Sequence, residues 1–387
     1  MDPSHFDSDA PAPDEFVPGQ DIVTESPIED AVPVQRRRRK PAGPGLPESL
    51  LWIFLFFVFQ LGGLLVVMIA LLAMHPEVLR QEHGFDFADW MQNLDPISKM
   101  NLIGMPVFLC FVLLIPLGLW RMTPAPLRKL KMELPTVGQT LIVLSLLVPV
   151  IVVSDFLFRT VKQLLSGTGL LEPLEQMFVQ NQLMELKDSP LWMMVFFIAV
   201  MPAIGEEFLF RGLIGRGLTA RWGLVTGVVI TSLLFGIVHV YPPHVAAAAM
   251  MGVALHVIYL TTKSYWAPVM FHFINNTLSV VMMRVQQEQV GDPSLLISFG
   301  CLIYVFWCLY WLYQMRTEYR PFVHKESVGE LPPTGENSSV EQSEPRPEFR
   351  RVAATYAFPC IVAAVVLALG FVDVLTDLFP SLQDLFS

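Results

Sequence analysis

Glu206, Glu207 and Arg211 stand inside an apolar run that leads in as Trp192-Met193-Met194-Val195-Phe196-Phe197-Ile198 and leads out as Gly212-Leu213-Ile214. Ionisable groups in such a setting are costly unless they pair, line a wet cavity or perform chemistry, so this cluster is the first candidate site. On a helix Glu207 and Arg211, four apart, share a face and can form a partly buried ion pair. Glu206 projects about 100° further round the helix axis. One carboxylate is then held ionised by the guanidinium, while the other, less well compensated, is free to hold or take a proton. A structural ion pair joining two helices is the competing reading of the same residues.

Two further polar groups of residues lie downstream. Phe235-Gly236-Ile237-Val238-His239 places one imidazole in an apolar segment, and His272 with Asn276 places an imidazole and an amide four apart, on one helix face. Each alone reads as readily as an interhelical hydrogen bond. Depth brings them together: counted from expected helix ends near 218, 222 and 264, Glu206, His239 and His272 lie roughly 18, 25 and 12 Å in, and Asn276 roughly 18 Å. Tilt and a turn of slack at each end cover most of that spread. One shared hydrated cavity is more economical than four separate burials. Two carboxylates and two histidines also permit a divalent metal such as zinc, held by Glu206, His239 and His272, but no HExxH pair occurs on one helix, and a metal-free, cofactor-free site is the expectation.

The elements that must position these groups follow from composition. The chain has 387 residues, 53% of them hydrophobic and 16% charged, with a mean hydropathy of +0.52. Those values exclude an ordinary soluble domain and indicate an all-α polytopic membrane bundle of about nine transmembrane helices. The expected spans are 50–74, 101–120, 140–158, 190–218, 222–240, 244–262, 264–283, 294–315 and 353–372, with residues 160–188 read as an interfacial helix. The organisation is then an acidic, proline-rich, disordered tail over 1–48, helices and an interfacial segment over 49–189, and a core over 190–285. One more helix spans 286–315, a polar loop 316–351, and a last helix with a short tail 352–387.

The net charge of -10 sits in tails and loops. Arg36-Arg37-Arg38-Arg39-Lys40, just ahead of the first span, is a topology anchor that also meets anionic lipid rather than a nucleic-acid patch. No cleavable signal peptide is visible. With that block inside, the basic clusters at 121–131, 211–221 and 316–325 all fall on the cytoplasmic side, so the N-terminus is expected in the cytoplasm. Cys110, Cys301, Cys308 and Cys360 lie in apolar spans and read as small buried hydrophobes. Asp155 and Arg159 read as an ion pair at a helix end, Asn275 as a structural hydrogen bonder, His244 as an interfacial residue, and His256 as unconnected to the site. Pro202 deprives the Ile198 carbonyl of its helical donor and can kink the helix to admit water.

Glu206-Glu207 with Arg211, Phe235 with His239, and His272 with Asn276 reproduce, in order, the patterns EExxxR, FxxxH and HxxxN. In this the chain resembles the CPBP intramembrane proteases, which include type II CAAX prenyl endopeptidases and Abi-like proteins linked to bacteriocin processing and immunity. The resemblance covers roughly 190–285. It implies an intramembrane endopeptidase in which Glu206 activates water, His239 assists, and His272 and Asn276 stabilise the oxyanion. Glu207 and Arg211 support Glu206. It also implies a membrane-associated protein or peptide substrate, lipidated in the CAAX case, no nucleic-acid partner, and residence in a bacterial inner membrane. A transporter or a non-catalytic binding protein that uses the same cluster as a proton or ligand relay is the alternative, against which stands the lack of an internal repeat.

Overall fold

The computed structural model describes residues 43–76, 93–178, 186–285 and 294–316, together with Trp90 and Val362. The described residues form an all-α, multi-pass membrane bundle of eight main helices. They are α1 (Leu46–Met74), α2 (Pro96–Arg121), α3 (Val137–Leu165), α4 (Leu191–Trp222), α5 (Leu224–Ile237), α6 (Pro242–Thr262), α7 (Trp266–Val285) and α8 (Leu295–Gln314). Six of them, all but α5 and α7, are long and apolar enough to cross a membrane. The expected span at 353–372, most of the tail over 1–48 and residues 317–351 lie outside the described residues, so the count of nine stands untested there.

Two expectations are corrected. The fifth span, expected over 222–240, is a helix of only 14 residues, about 21 Å long against a hydrocarbon core of about 30 Å. It is bounded by Gly223 at φ +81° and a reversal at Val240, φ +62°. Residues 160–188 are not one interfacial helix either. α3 continues to Leu165, the chain turns through Gly167 and Gly169, both at φ +76°, and a short helix follows at Glu172–Phe178.

Local chemistry explains the other boundaries. Asp95 caps α2 by accepting from the Ile97 and Ser98 amides at 2.9 and 3.1 Å, ahead of Pro96 in the first turn, where its missing N–H costs nothing. Thr136 and Gln139 form a reciprocal capping box at the start of α3. α3 is interrupted at Leu146, one turn before Pro149, whose nitrogen has no hydrogen for the Ser145 carbonyl.

One end of the bundle gathers the basic clusters. Arg121 pairs with Glu48 at 2.7 and 3.1 Å, Arg221 donates to the Gly43 and Pro44 carbonyls at 2.6 and 2.8 Å, and Gln139 donates to Met315 O at 3.0 Å. Asp155 and Arg159 form the expected pair at 2.8 Å. Cys110 and Cys308 are buried and Cys301 is half-buried, all as free thiols, while Cys360 lies outside the described residues.

α2 and α4 approach closely along a seven-residue stripe. Gly104, Phe111 and Gly118 of α2 meet Phe197, Gly205 and Phe208 of α4, a ring filling the space a missing side chain leaves at each level. A methyl group at 205 would overlap the Phe111 ring. Gly205 immediately precedes the two glutamates, so this contact sets the height and rotation of the polar cluster. Gly205→Ala is expected to lower stability by about 1–3 kcal/mol, the usual cost of overpacking, with recovery on adding Phe111→Leu; thermal unfolding in detergent measures both.

Candidate functional site

α4 is not a uniform helix. It is α-helical over Leu191–Met194, widens to a π-helix over Val195–Val200, tightens over Met201–Glu207, and widens again over Phe208–Gly215 before ending as an α-helix. π-helical stretches are rare and concentrate at functional sites, because the extra residue per turn re-aims side chains and frees backbone groups. Two carbonyls of α4 are met from outside the helix. The Asn276 side-chain amide donates to Ile198 O at 3.0 Å, the carbonyl four residues before Pro202. The Tyr265 hydroxyl donates to Ile204 O at 2.7 Å. Both donors come from the α7 segment, which is thereby stitched to α4 on either side of Pro202.

Glu207 lies at the centre of the site. It is fully buried, and its Oε1 accepts from Arg211 Nη1 and from His272 Nδ1, both at 2.9 Å. Arg211, also buried, donates through Nη2 to Gly252 O at 3.1 Å and stacks over the Phe235 ring, 4.4 Å from its centroid. Gly252 lets α6 lie close to α5, since a side chain there would press on Ser232 and Phe235 at 3.1–3.2 Å. A carboxylate only accepts, so His272 carries its proton on Nδ1 and turns Nε2 toward Glu206, 3.9 Å from Oε2. That Glu206 oxygen is buried without a protein partner, although the side chain keeps 13% of its surface accessible.

His239 is oriented by the same logic. Its Nδ1 lies 2.9 Å from Phe235 O, and a carbonyl can only accept, so Nδ1 bears the hydrogen and Nε2 keeps its lone pair. Phe235 stands edge-on to both imidazoles, with ring centroids 5.3 Å from His239 and 6.0 Å from His272. The FxxxH phenylalanine is therefore the hub on which two histidines and the guanidinium rest. Spacing alone named it without a role; its place between a cation and two imidazoles was the missing information.

The structure thus joins Glu206, Glu207, Arg211 and His272 directly and brings His239 to them through Phe235. Asn276 reaches the cluster through α4, with one amide hydrogen on Ile198 O and its Oδ1 accepting from Asn275 at 3.1 Å. Its second amide hydrogen can serve another acceptor. Tyr265 and Asn275 are supports that sequence reasoning left unassigned or only outlined. His244 packs on Phe158 at 5.0 Å outside the cluster, and His256 is buried against Gly215. Among the described residues no group of three His, Cys, Asp or Glu side chains is gathered as a metal site.

The charges do not balance. Two carboxylates, Glu206 and Glu207, face one permanent cation, Arg211, in this cluster.

A bundle of membrane helices enclosing a buried Glu-Glu-Arg-His cluster defines the class, and comparison with known proteins narrows it. Residues 188–278 match the family model described as "Type II CAAX prenyl endopeptidase Rce1-like". A stretch of 115 residues, 29% of the chain, is 31% identical to "Putative membrane peptidase YdiL" of Bacillus subtilis (strain 168) and spans 47% of that relative. Both matches support membership of the CPBP family for the segment that carries the three motifs. No solved structure matches the chain.

Removing one partner of a buried, hydrogen-bonded ion pair leaves the other charge uncompensated. Arg211→Ala is therefore expected to cost about 3–5 kcal/mol. Chemical unfolding in detergent micelles measures it, and a loss below about 1 kcal/mol would mean that Glu207 finds another partner.

Proposed function

We propose that this chain is an intramembrane endopeptidase that hydrolyses a peptide bond with water activated by Glu206 and without a metal. The observation that carries this reading is the unpartnered, buried Oε2 of Glu206 beside His272, whose other nitrogen is pinned by Glu207. In this reading a water molecule hydrogen-bonds to Glu206 and to the free Nε2 of His239. Glu206 takes its proton as the oxygen adds to the substrate carbonyl carbon. The developing oxyanion is met by Nε2–H of a protonated His272, whose charge Glu207 balances, and by the second amide hydrogen of Asn276. Collapse breaks the C–N bond, and Glu206 returns its proton to the departing amine. Arg211 and His272 hold the Glu207 carboxylate in place throughout.

The substrate we infer is a membrane-associated protein or peptide with a lipidated C-terminus. The matched family description supports that class, as does an apolar cleft of about 430 Å³ lined by residues that include Trp266, Val269, Met270 and Phe273 of α7. In this reading the basic end of the bundle faces the cytoplasm of a bacterium.

The test uses purified protein in liposomes and a quenched peptide ending in S-farnesyl-cysteine, two aliphatic residues and methionine, beside its unprenylated twin. Cleavage is expected for the prenylated peptide and is expected to persist in the presence of a chelator. Glu206→Gln is expected to lose about 10²–10⁴-fold in kcat, the range for removing a general base, with an unchanged melting temperature. Undiminished turnover by that variant would reject the assignment.

A further inference from the structure

The backbone just after His239 is strained. Tyr241 N–H donates to His239 O at 2.6 Å, closing a γ-turn, and Val240 between them has φ +62°. A γ-turn with positive central φ is rare. A β-branched residue tolerates it least, because its Cβ crowds the backbone, and glycine is what such a turn ordinarily selects. Strain of this kind persists only where the surroundings over-determine it.

What over-determines it here is Tyr241. Its ring is buried, with centroids 6.1 Å from Phe158 and 5.4 Å from His244. Its hydroxyl donates to Glu175 Oε1 at 2.8 Å, and Lys162 Nζ reaches the same oxygen at 3.1 Å. Phe158 and Lys162 both belong to α3, so Tyr241 ties the turn to that helix. Pro242 and Pro243 open α6 directly behind it and restrict how the turn can relax. The Tyr241 hydroxyl, then Lys162, hold the Glu175 carboxyl below its ordinary range, while burial and that glutamate push the phenol up to about 12. Donor and acceptor therefore keep their roles at neutral pH.

We propose that Tyr241 is a positioning residue: with Glu175 and Lys162 it latches the strained Val240 turn and so aims the free Nε2 of His239 at the reacting water. This rests on the role given to His239 above. Without the latch, Val240 relaxes toward negative φ, the His239 carbonyl rotates with it, and the imidazole leaves its bond to Phe235 O. With glycine at 240 the turn carries no strain and needs no latch.

Two readouts test the proposal separately. The first is nitrogen-15 NMR of the histidine-labelled protein, with the His239 resonance assigned by its loss in His239→Gln. Tyr241→Phe is expected to abolish the fixed Nδ1–H pattern of His239, and Tyr241→Phe with Val240→Gly to restore it. The second is turnover of the farnesylated peptide. There Tyr241→Phe is expected to lower kcat about tenfold with KM unchanged, as loss of a hydrogen bond to a charged acceptor would, and the double variant to recover.

Glu175 lies at the rim, so its variants test the same point without emptying a buried space. Glu175→Ala is expected to match Tyr241→Phe, and Glu175→Gln, which keeps the acceptor oxygen, to resemble the parent. An unchanged His239 resonance in Tyr241→Phe, or in Glu175→Ala should Tyr241→Phe not fold, overturns the latch. So does failure of Val240→Gly to restore the resonance in a folded Tyr241→Phe protein. Should the parent protein cleave neither peptide, the proposed activity fails while the NMR result still decides the latch.

Discussion

Glu207 is the group on which the rest of the structure depends. Its Oε1 serves Arg211 and His272 at once, in a setting where each ion would otherwise pay a desolvation cost of several kcal/mol. Such a pair stabilises the fold only if the geometry is good and the remaining hydrogen-bonding positions are filled. Here the guanidinium also meets Gly252 O and the Phe235 face, while Glu207 Oε2 and Arg211 Nε are buried without a hydrogen-bond partner. α4, α5, α6 and α7 are therefore held around one carboxylate by partners from every one of them. Their relative rotation is fixed by hydrogen bonds, which have direction, more tightly than by apolar contact, which in lipid has little driving force.

The close packing serves the same end. Gly205 lets Phe111 sit against α4 immediately before the glutamates, and Gly252, whose carbonyl takes the guanidinium, lets α6 lie close to Ser232 and Phe235 of α5. Pro202 and the two π-helical stretches loosen α4; Asn276 takes up the Ile198 carbonyl, and Tyr265 adds a second donor to the Ile204 carbonyl, which also accepts from Phe208 N–H. In a membrane such carbonyls must find partners within the protein. The irregular backbone is thus met by side chains from one neighbouring segment, while Oε2 of Glu206 and of Glu207 stay buried without a partner.

Much of this was legible in the chain. Apolar runs long enough to cross a bilayer report themselves, and the i, i+4 spacing of Glu207 and Arg211 foretold their pair. Reckoning depth from helix ends placed Glu206 and His272 in one layer, and they lie 3.9 Å apart. Other features depend on information that no local window holds. That Pro202 frees the Ile198 carbonyl can be read from the sequence; that Asn276 arrives to satisfy it cannot. The π-helical turns follow from such partners and are equally hidden. The break after Leu165 was present in Ser166-Gly167-Thr168-Gly169, a turn-forming run that the surrounding leucines and methionines masked. The shortness of α5 was invisible because Val240, in a conformation valine ordinarily avoids, carries no mark of it.

That last point bears on how a rigid bundle holds the imidazole of His239. His239 is the last residue before a reversal, and a helix end frays unless something outside it is fixed. Placing the imidazole inside a helix would restrain it but bury its free nitrogen among neighbouring turns. Placing it at the end transfers the burden of restraint to the turn that follows. The positive φ of Val240 is the cost of reversing the chain within two residues, so that the ring can keep its bond to Phe235 O while α6 returns alongside α5. A looser loop would need no strain, but it would let the ring swing away from the layer in which Glu206 and His272 meet.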